Sequence, residues 1–140
     1  MTEIKKKVLF LCTGNSARSQ IAEGLVKSVG GERWGVKSAG ILPSYVHPLA
    51  IRVDEVGIDI SKQTSNSQNQ FLNEEFDYII THCDHAAMAY PNFPGQANRL
   101  HWPIEDPAMA IGTMDERVTV FRRARDEIKA RIERFLKSKP

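Results

Sequence analysis

The N-terminal part of the chain combines a short apolar segment, a loop of small polar residues and a segment with helical periodicity. Residues Lys7–Leu11 (KVLFL) are apolar after the lysine, which predicts a strand buried on both faces. From Arg18 onward, apolar residues recur at helical spacing until Gly30 and Gly31 provide a stop signal. A strand, a loop and a helix therefore follow one another, and this order constrains the fold more than any other feature of the chain.

The same alternation continues through the rest of the sequence. Two further strands are predicted at Trp34–Ala39 and Phe76–Thr81, and a short fourth strand within Gly95–Trp102. Helices are predicted at Pro48–Val56 and from about Asp115 to the C-terminus. Alternating strands and helices are typical of a parallel sheet covered by helices on both faces. We therefore expect a single α/β domain over residues 1–140.

Composition excludes several classes of protein. Hydrophobic residues make up 41% of the 140 residues and charged residues 26%, which is ordinary for a globular domain. The net charge is only +2, from 19 basic and 17 acidic residues, which argues against nucleic acid as a partner. No apolar run approaches the roughly 20 residues of a membrane span, and no apolar signal segment is present at the N-terminus. We expect a cytoplasmic monomer with no membrane partner.

Only two cysteines occur, Cys12 and Cys83. A chain of this length in a reducing compartment does not depend on one disulfide for folding, so both thiols are candidates for reactivity. Each follows a predicted strand, as do Ser38–Gly40 and Asp106. Because ligands of parallel sheets bind beyond the carboxyl ends of the strands, one shared site is expected there.

The segment Leu11–Gln20 (LCTGNSARSQ) predicts an oxyanion-binding loop. Successive backbone N–H groups can point at a tetrahedral anion near the positive end of the helix dipole, and Gly14 and Asn15 tolerate the left-handed backbone that such a loop requires. The planar guanidinium of Arg18 can hold two oxygens of the anion. The predicted binding residues are Thr13, Gly14, Asn15, Ser16, Ala17, Arg18 and Ser19.

The same surroundings favour the thiolate of Cys12, the form that acts as a nucleophile. Loop amides, a helix N-terminus and a nearby guanidinium all stabilise negative charge on sulfur, and Ser19 can add a hydrogen bond. The plainer interpretation makes Cys12 a buried core cysteine and Arg18 a surface residue. The strand–loop–helix context favours the nucleophile.

Four motifs together resemble one family. They are CTGNSARSQ with a following AEG, SAG (Ser38–Gly40), GIDIS with QTS (Gly57–Ser65), and HW with EDPA (His101–Ala108). Together they are similar to the motifs of arsenate reductases with the low-molecular-weight protein tyrosine phosphatase fold. The resemblance spans nearly the whole chain. It implies a flavodoxin-like three-layer sandwich with a four-stranded parallel sheet in the order 2-1-3-4, and the reduction of arsenate to arsenite for arsenic detoxification.

The resemblance also implies a role for individual residues. Cys12 attacks arsenate, and Asp106, the aspartate before a proline, protonates the leaving oxygen, with Glu105 as its competitor. Cys83 attacks the adduct on Cys12, releases arsenite and leaves a disulfide. Without the companion motifs, Asp106 and Pro107 would indicate only a turn or a helix start, and Cys83 a small apolar residue at a strand end.

Two positions depart from the family. Thioredoxin-coupled members carry a third cysteine where this chain has Tyr90. No tightly bound cofactor is expected; an external thiol reductant is implied, either glutathione with a glutaredoxin, mycothiol or thioredoxin. Some relatives also bind potassium through four residues, of which Asn15, Glu23 and Ser38 match and the fourth is Asn66 here.

Two other functions remain open at this stage. A protein tyrosine phosphatase would use the same loop and acid, with water hydrolysing a cysteinyl phosphate, but it would not need Cys83. A catalytically silent anion-binding module would need none of the thiol chemistry. A metal site with His82, Cys83 and His85 is not expected, because no second cluster completes a tetrahedral set of ligands.

Overall fold

A four-stranded parallel sheet forms the centre of the computed structural model, which describes residues 6–40, 44–52, 60–82, 95 and 97–138. Its strands are β1 (Lys6–Cys12), β2 (Trp34–Gly40), β3 (Tyr78–Thr81) and β4 (Asn98–His101). They lie in the order β2-β1-β3-β4 and all pair in parallel. The predicted parallel sheet and its strand order are confirmed. The central position of β1 explains why the KVLFL segment is apolar on both faces.

The described helices are α1 (Arg18–Gly30), α2 (Pro48–Arg52) and α3 (Met114–Ser138). Short 3-10 turns occur at Gly31–Arg33, Gln68–Phe71 and Pro107–Met109. The helix predicted for Pro48–Val56 is described only as far as Arg52, because residues 53–59 lie outside the described residues. No helix in the described ranges combines the length and the apolar character that a membrane span needs.

Local signals explain where these elements begin and end. α1 stops where Gly31 takes a φ of 58°, a left-handed value that suits glycine. α3 begins with a capping box: the Glu116 N–H donates to the Thr113 hydroxyl, and the Glu116 carboxylate accepts from the Thr113 N–H. β3 starts two residues later than predicted, because Phe76 packs into the core and Asp77 accepts a hydrogen bond from the Lys7 N–H.

Alternate residues of the strands divide the core between the two faces of the sheet. Val8 and Phe10 face α1 and α3 in the larger cluster, together with Phe121 and Ile128. Leu9 and Leu11 point the other way. The second cluster also contains Ala39, Phe71, Phe76 and Ile79. The sheet is therefore buried on both sides, and its carboxyl edge, where Cys12, Gly40, Thr81 and His101 end their strands, is left to form a site.

Candidate active site

Cys12 is the last residue of β1 and is 2% exposed. The loop after it is held by hydrogen bonds to its outward-facing carbonyls. Gly14 O accepts from the Ser44 N–H (3.1 Å) and the Ser65 hydroxyl (2.9 Å), and Ser16 O accepts from the His47 N–H (3.0 Å). Because these carbonyls point away, the intervening peptide N–H groups turn toward the interior of the loop, as in an anion-binding nest.

Asn15 shapes this loop and connects it to Cys12 through Ser19. It has a φ of 47° and is the one non-glycine residue with a positive φ among the described residues. Its side-chain oxygen accepts from the Asn66 N–H (2.6 Å), which leaves its amide nitrogen to donate to Ser19 Oγ (2.8 Å). Ser19 Oγ lies 2.9 Å from Cys12 Sγ. Either of these two atoms can be the donor; when Cys12 is a thiolate, the Ser19 hydroxyl donates to the sulfur and stabilises its negative charge.

The loop also depends on a glycine in the neighbouring strand. A Cβ atom on Gly40 would lie 2.6 Å from Thr13 O and 2.8 Å from Asn15 N, so only glycine lets β2 approach the loop this closely. Of the two residues that tolerate the left-handed backbone, Gly14 and Asn15, it is Asn15 that adopts it.

Arg18 is the first residue of α1, and its side chain is nearly buried. Its Nη1 donates to Ile104 O (3.0 Å) and His82 O (3.4 Å). Its Nη2 lies 3.6 Å from Asp106 Oδ2. The helix has no side-chain cap at Ala17, so its first N–H groups face the loop. The guanidinium thus connects the loop with the segments that follow β3 and β4.

Asp106 caps a turn with one carboxylate oxygen and faces Arg18 with the other. Its Oδ1 accepts from the Ala108 N–H (3.0 Å) and caps the turn at Pro107–Met109, which is the structural interpretation of the pair. Its Oδ2 faces Arg18 instead. The turn therefore fixes the carboxyl group and leaves one oxygen directed at the candidate site, whereas the competing Glu105 is exposed.

Cys83 and Tyr90 lie outside the described residues, as does His85. The residue before Cys83 is described: the His82 N–H donates to Leu11 O (3.0 Å). The peptide that leads to Cys83 therefore lies beside the peptide that leads to Cys12. Among the residues that the structure describes, no cluster of three histidine, cysteine or acidic side chains suits a metal ion.

The imidazole of His82 is completely buried beside the site. It stacks on Phe10 with ring centroids 5.5 Å apart, and neither of its ring nitrogens has a hydrogen-bond partner among the described residues. Burial, reinforced by the positive charge of Arg18, lowers the pKa of His82 to about 3. His82 is therefore neutral at physiological pH, and its backbone carbonyl rather than its ring contacts Arg18.

His47 is a neighbour of the site that the sequence analysis did not identify. Its Nδ1 accepts from the Leu49 N–H (3.1 Å), and its ring packs on Phe121 of α3 at 4.8 Å. Burial and the charge of Arg117 lower its pKa, while Asp106 acts in the opposite direction. His47 thus lies within the electrostatic reach of the candidate acid.

The residues that match the potassium site of some relatives are already engaged with one another. Glu23 accepts from the Ser38 hydroxyl (2.6 Å) and from the Lys27 ammonium (2.6 Å). Asn66 Nδ2 donates to Ser38 O (3.3 Å), and its N–H occupies Asn15 Oδ1. The acceptor oxygens face protein donors and a lysine supplies the positive charge, so this donor set does not fit a bound cation.

Two glutamines complete the support of the loop, and periodicity alone did not identify them. Gln20 is fully buried, and its amide donates to Asn15 O (2.9 Å) and Thr64 O (2.8 Å). Gln63 in turn donates to Gln20 Oε1 (2.7 Å). Both belong to motifs quoted from the sequence, and a buried polar residue in the first turn of a helix was the available signal.

Comparison with known proteins agrees with this geometry. The model of the low molecular weight phosphotyrosine protein phosphatase family matches residues 7–139. The arsenate reductase of Halalkalibacterium halodurans is 50% identical over 132 residues, which cover 94% of this chain and 95% of that protein.

Solved structures show the same fold. The structure of an arsenate reductase in the oxidized state has a TM-score of 0.81 and 37% identity, covering 95% of this chain and 98% of that one. The thioredoxin-dependent arsenate reductase of Corynebacterium glutamicum has a TM-score of 0.73 and 30% identity, covering 99% of this chain and 63% of that one. The chain therefore belongs to the low molecular weight phosphotyrosine protein phosphatase family and, within it, to the arsenate reductases.

Proposed function

We propose that this protein reduces arsenate to arsenite, with Cys12 as the nucleophile and an external thiol as the source of electrons. The observation that carries the proposal is the convergence of Cys12, Arg18 and Asp106 on one edge of the sheet. This arrangement suits thiolate attack on a tetrahedral oxyanion. The 50% identity to an arsenate reductase over nearly the whole chain favours arsenate as that oxyanion.

In the first step, the loop amides of Thr13–Ser19 and the guanidinium of Arg18 hold the oxygens of arsenate. The Cys12 thiolate attacks arsenic, an S–As bond forms and an As–O bond breaks. The leaving oxygen takes a proton from Asp106 and departs as water. The Ala108 N–H on Oδ1 of Asp106 leaves Oδ2 as the oxygen that carries this proton.

In the second step, the Cys83 thiolate attacks the sulfur of Cys12. An S–S bond forms, the S–As bond breaks, and its electron pair remains on arsenic, which is reduced from As(V) to As(III). The two sulfurs are oxidised to a disulfide and arsenite leaves. The close approach of His82 to Leu11 supports this role, because it brings the peptide before Cys83 next to the peptide before Cys12.

The cycle closes when an external dithiol, or two molecules of a monothiol, supplies two electrons to the Cys12–Cys83 disulfide and is itself oxidised to a disulfide. Tyr90 stands where thioredoxin-coupled relatives have a third cysteine, so the donor has to act on the first disulfide. Thioredoxin, glutaredoxin with glutathione, and mycothiol are the donor classes to compare. We further propose that residues 1–140 act as one domain and as a monomer, in the reducing cytoplasm.

Potassium is not required for this activity in our proposal, because Lys27 and Asn66 already engage the oxygens that would coordinate the ion. Replacing KCl by NaCl at equal ionic strength should leave both turnover and the melting temperature unchanged. A stabilisation specific to KCl, measured by thermal unfolding, would contradict this part of the proposal.

Hydrolysis of phosphomonoesters is the alternative, because the family contains phosphatases and the loop fits phosphate as well as arsenate. In that reaction, water would release phosphate from Cys12 and Cys83 would have no function. A silent anion-binding module would use the loop without any reaction at Cys12.

The test is arsenite production by the wild type, Cys12→Ser and Cys83→Ser, driven by dithiothreitol, by thioredoxin with its reductase, and by glutathione with glutaredoxin. Cys12→Ser should lose all turnover. Cys83→Ser should lose turnover with the protein donors. If Cys83→Ser keeps full activity, an external thiol attacks the adduct directly and the resolving role is wrong.

Two control measurements separate the alternatives. A wild type that makes no arsenite with any donor but hydrolyses an aryl phosphate efficiently is a phosphatase. A wild type whose Cys12 reacts with iodoacetamide no faster than a free thiol, and without protection by phosphate, is a silent module.

A further inference from the structure

Large apolar side chains are exposed around the candidate acid. They are Met109 (77% exposed), Ile111 (90%), Met114 (50%) and Tyr45 (62%), and we call this set the apolar rim. Three of the four fall within the six residues that follow Ala108. Val29, by contrast, is an exposed apolar residue near the far end of α1. Apolar residues exposed together next to a reactive site are typical of a surface that contacts a partner.

The two segments that carry the apolar rim both lie against α3. Tyr45 stacks on His47, which packs against Phe121 of that helix. On the other side, Met109 ends the turn that Asp106 caps. Between Met109–Ile111 and α3 lies a groove of about 420 Å³, with Ile104 and Ala124 among its lining residues. The rim and its groove are therefore continuous with Asp106, and through it with Arg18.

The chemistry of recycling requires a donor thiol to reach the site beside Cys12. Reduction of a Cys12–Cys83 disulfide passes through a mixed disulfide, whose S–S bond is only about 2 Å long. Cys12 is 2% exposed at the base of the loop, so a donor thiol reaches this site only if the protein surface around it contacts the edge of the site. The apolar rim forms that edge on the side of Asp106.

Charges around the rim have both signs. Glu105, Asp106, Glu127 and Arg123 line the groove. Asp106 faces Arg18, and Glu127 faces Arg131. A partner attracted mainly by its charge would need a surface whose charges have one sign. This edge instead combines apolar area with positive and negative charges that nearly cancel. The surface therefore fits a partner whose reactive thiol is itself surrounded by apolar residues.

We propose that the apolar rim is the docking surface for a dithiol donor protein, which contacts Met109 and Ile111 while its thiol attacks the Cys12–Cys83 disulfide. This inference rests on the proposed function, because only the redox cycle needs such a donor. A second copy of this chain is the competing occupant. It would cover Asp106 and close the site to the donor.

The test compares a protein donor with a small dithiol in the same enzyme. The variant Met109→Ser/Ile111→Ser removes exposed apolar side chains that make no part of the proposed chemistry, and Val29→Ser is the matched control at the other end of α1. Arsenite production is measured with each of two protein donors, thioredoxin with its reductase and glutaredoxin with glutathione, and separately with dithiothreitol. We expect kcat/KM for the better protein donor to fall about tenfold in the double variant. Dithiothreitol-driven turnover should be unchanged, and the control should match the wild type in both assays.

Three outcomes overturn the docking proposal while leaving the reductase activity intact. The double variant keeps the wild-type kcat/KM for the protein donor; it loses dithiothreitol-driven turnover equally; or the wild type sediments as a dimer that the double variant breaks. A wild type that makes no arsenite even with dithiothreitol overturns the proposed function instead, so the two failures are distinguishable.

Discussion

The hydrogen bonds around Cys12 form a chain that runs from the Asn66 N–H through Asn15 and Ser19 to the sulfur. The Asn66 N–H fixes the oxygen of the Asn15 side chain, so the Asn15 amide nitrogen has to face Ser19. Ser19 Oγ accepts this bond and keeps its proton available for a Cys12 thiolate. A backbone N–H at the start of this chain of bonds therefore helps to hold the Ser19 hydroxyl beside the sulfur, where it can donate to a thiolate.

Ser19→Ala should slow the reaction of Cys12 at pH 7 because it removes the donor that stabilises the thiolate. In a Cys83→Ser background, where Cys12 is the one remaining cysteine, alkylation by iodoacetamide should slow about tenfold, the equivalent of one lost hydrogen bond to a charged group. Ser138→Ala makes the same chemical change far from the loop, and Cys12 in this variant should be alkylated at the same rate as in the Cys83→Ser protein. Equal rates for the two serine variants would show that Ser19 does not act on Cys12.

At the scale of the elements, strands and helices were predictable because each carries its own apolar pattern. β1 and β2 lie within one residue of the predicted bounds, and α1 begins at Arg18 as expected. The turn after Asp106 was also readable, since an aspartate before a proline is a local signal. The contacts that shape the site were not readable, because they join residues far apart in sequence.

Gly14 and Gly40 illustrate this difference. The sequence indicated that Gly14 or Asn15 could reverse the backbone, and only the structure shows that the reversal lies at Asn15. Gly40 ends a strand, and nothing in the neighbouring sequence requires a glycine there. The requirement comes from the backbone of Thr13 and Asn15, which leaves no room for a Cβ atom. Only the register of β2 against β1, which pairs Gly40 with Cys12, makes that requirement visible.

Gly40→Ala should therefore disturb the loop more than its chemistry suggests. The new methyl group would meet Thr13 O and Asn15 N at distances that require backbone movement, at a cost of roughly 2 kcal/mol of unfolding free energy. Gly35→Ala is the matched control in the same strand, because its nearest contacts, at 3.5 and 3.9 Å, are ordinary. Urea unfolding measures the stability, and protection of Cys12 from iodoacetamide by phosphate measures the loop. Equal effects of the two variants on both measurements would contradict the close-approach argument.

For the whole molecule, the buried His82 beside the site lowers the free energy of unfolding in acid. His82 is buried without hydrogen-bond partners for its ring among the described residues, and its pKa is lowered to about 3. Unfolding returns the imidazole to water, where its pKa is about 6.5. The folded protein therefore binds fewer protons than the unfolded chain between these two values, and its stability falls as the pH falls from about 6.5 toward 3.

His82→Phe should remove this acid sensitivity, because phenylalanine keeps the stacking on Phe10 and has no proton to bind. Between pH 7 and pH 5 the wild type should lose about 2 kcal/mol more unfolding free energy than the variant, as the linkage relation gives for a group with an unfolded pKa of 6.5. Urea unfolding at the two pH values measures the difference. His47 also has a lowered pKa, but it is present in both proteins and cancels in the comparison. A His82→Phe variant as acid-sensitive as the wild type would mean that the buried imidazole finds a partner on protonation, and that the stability of the sheet edge does not depend on its neutrality.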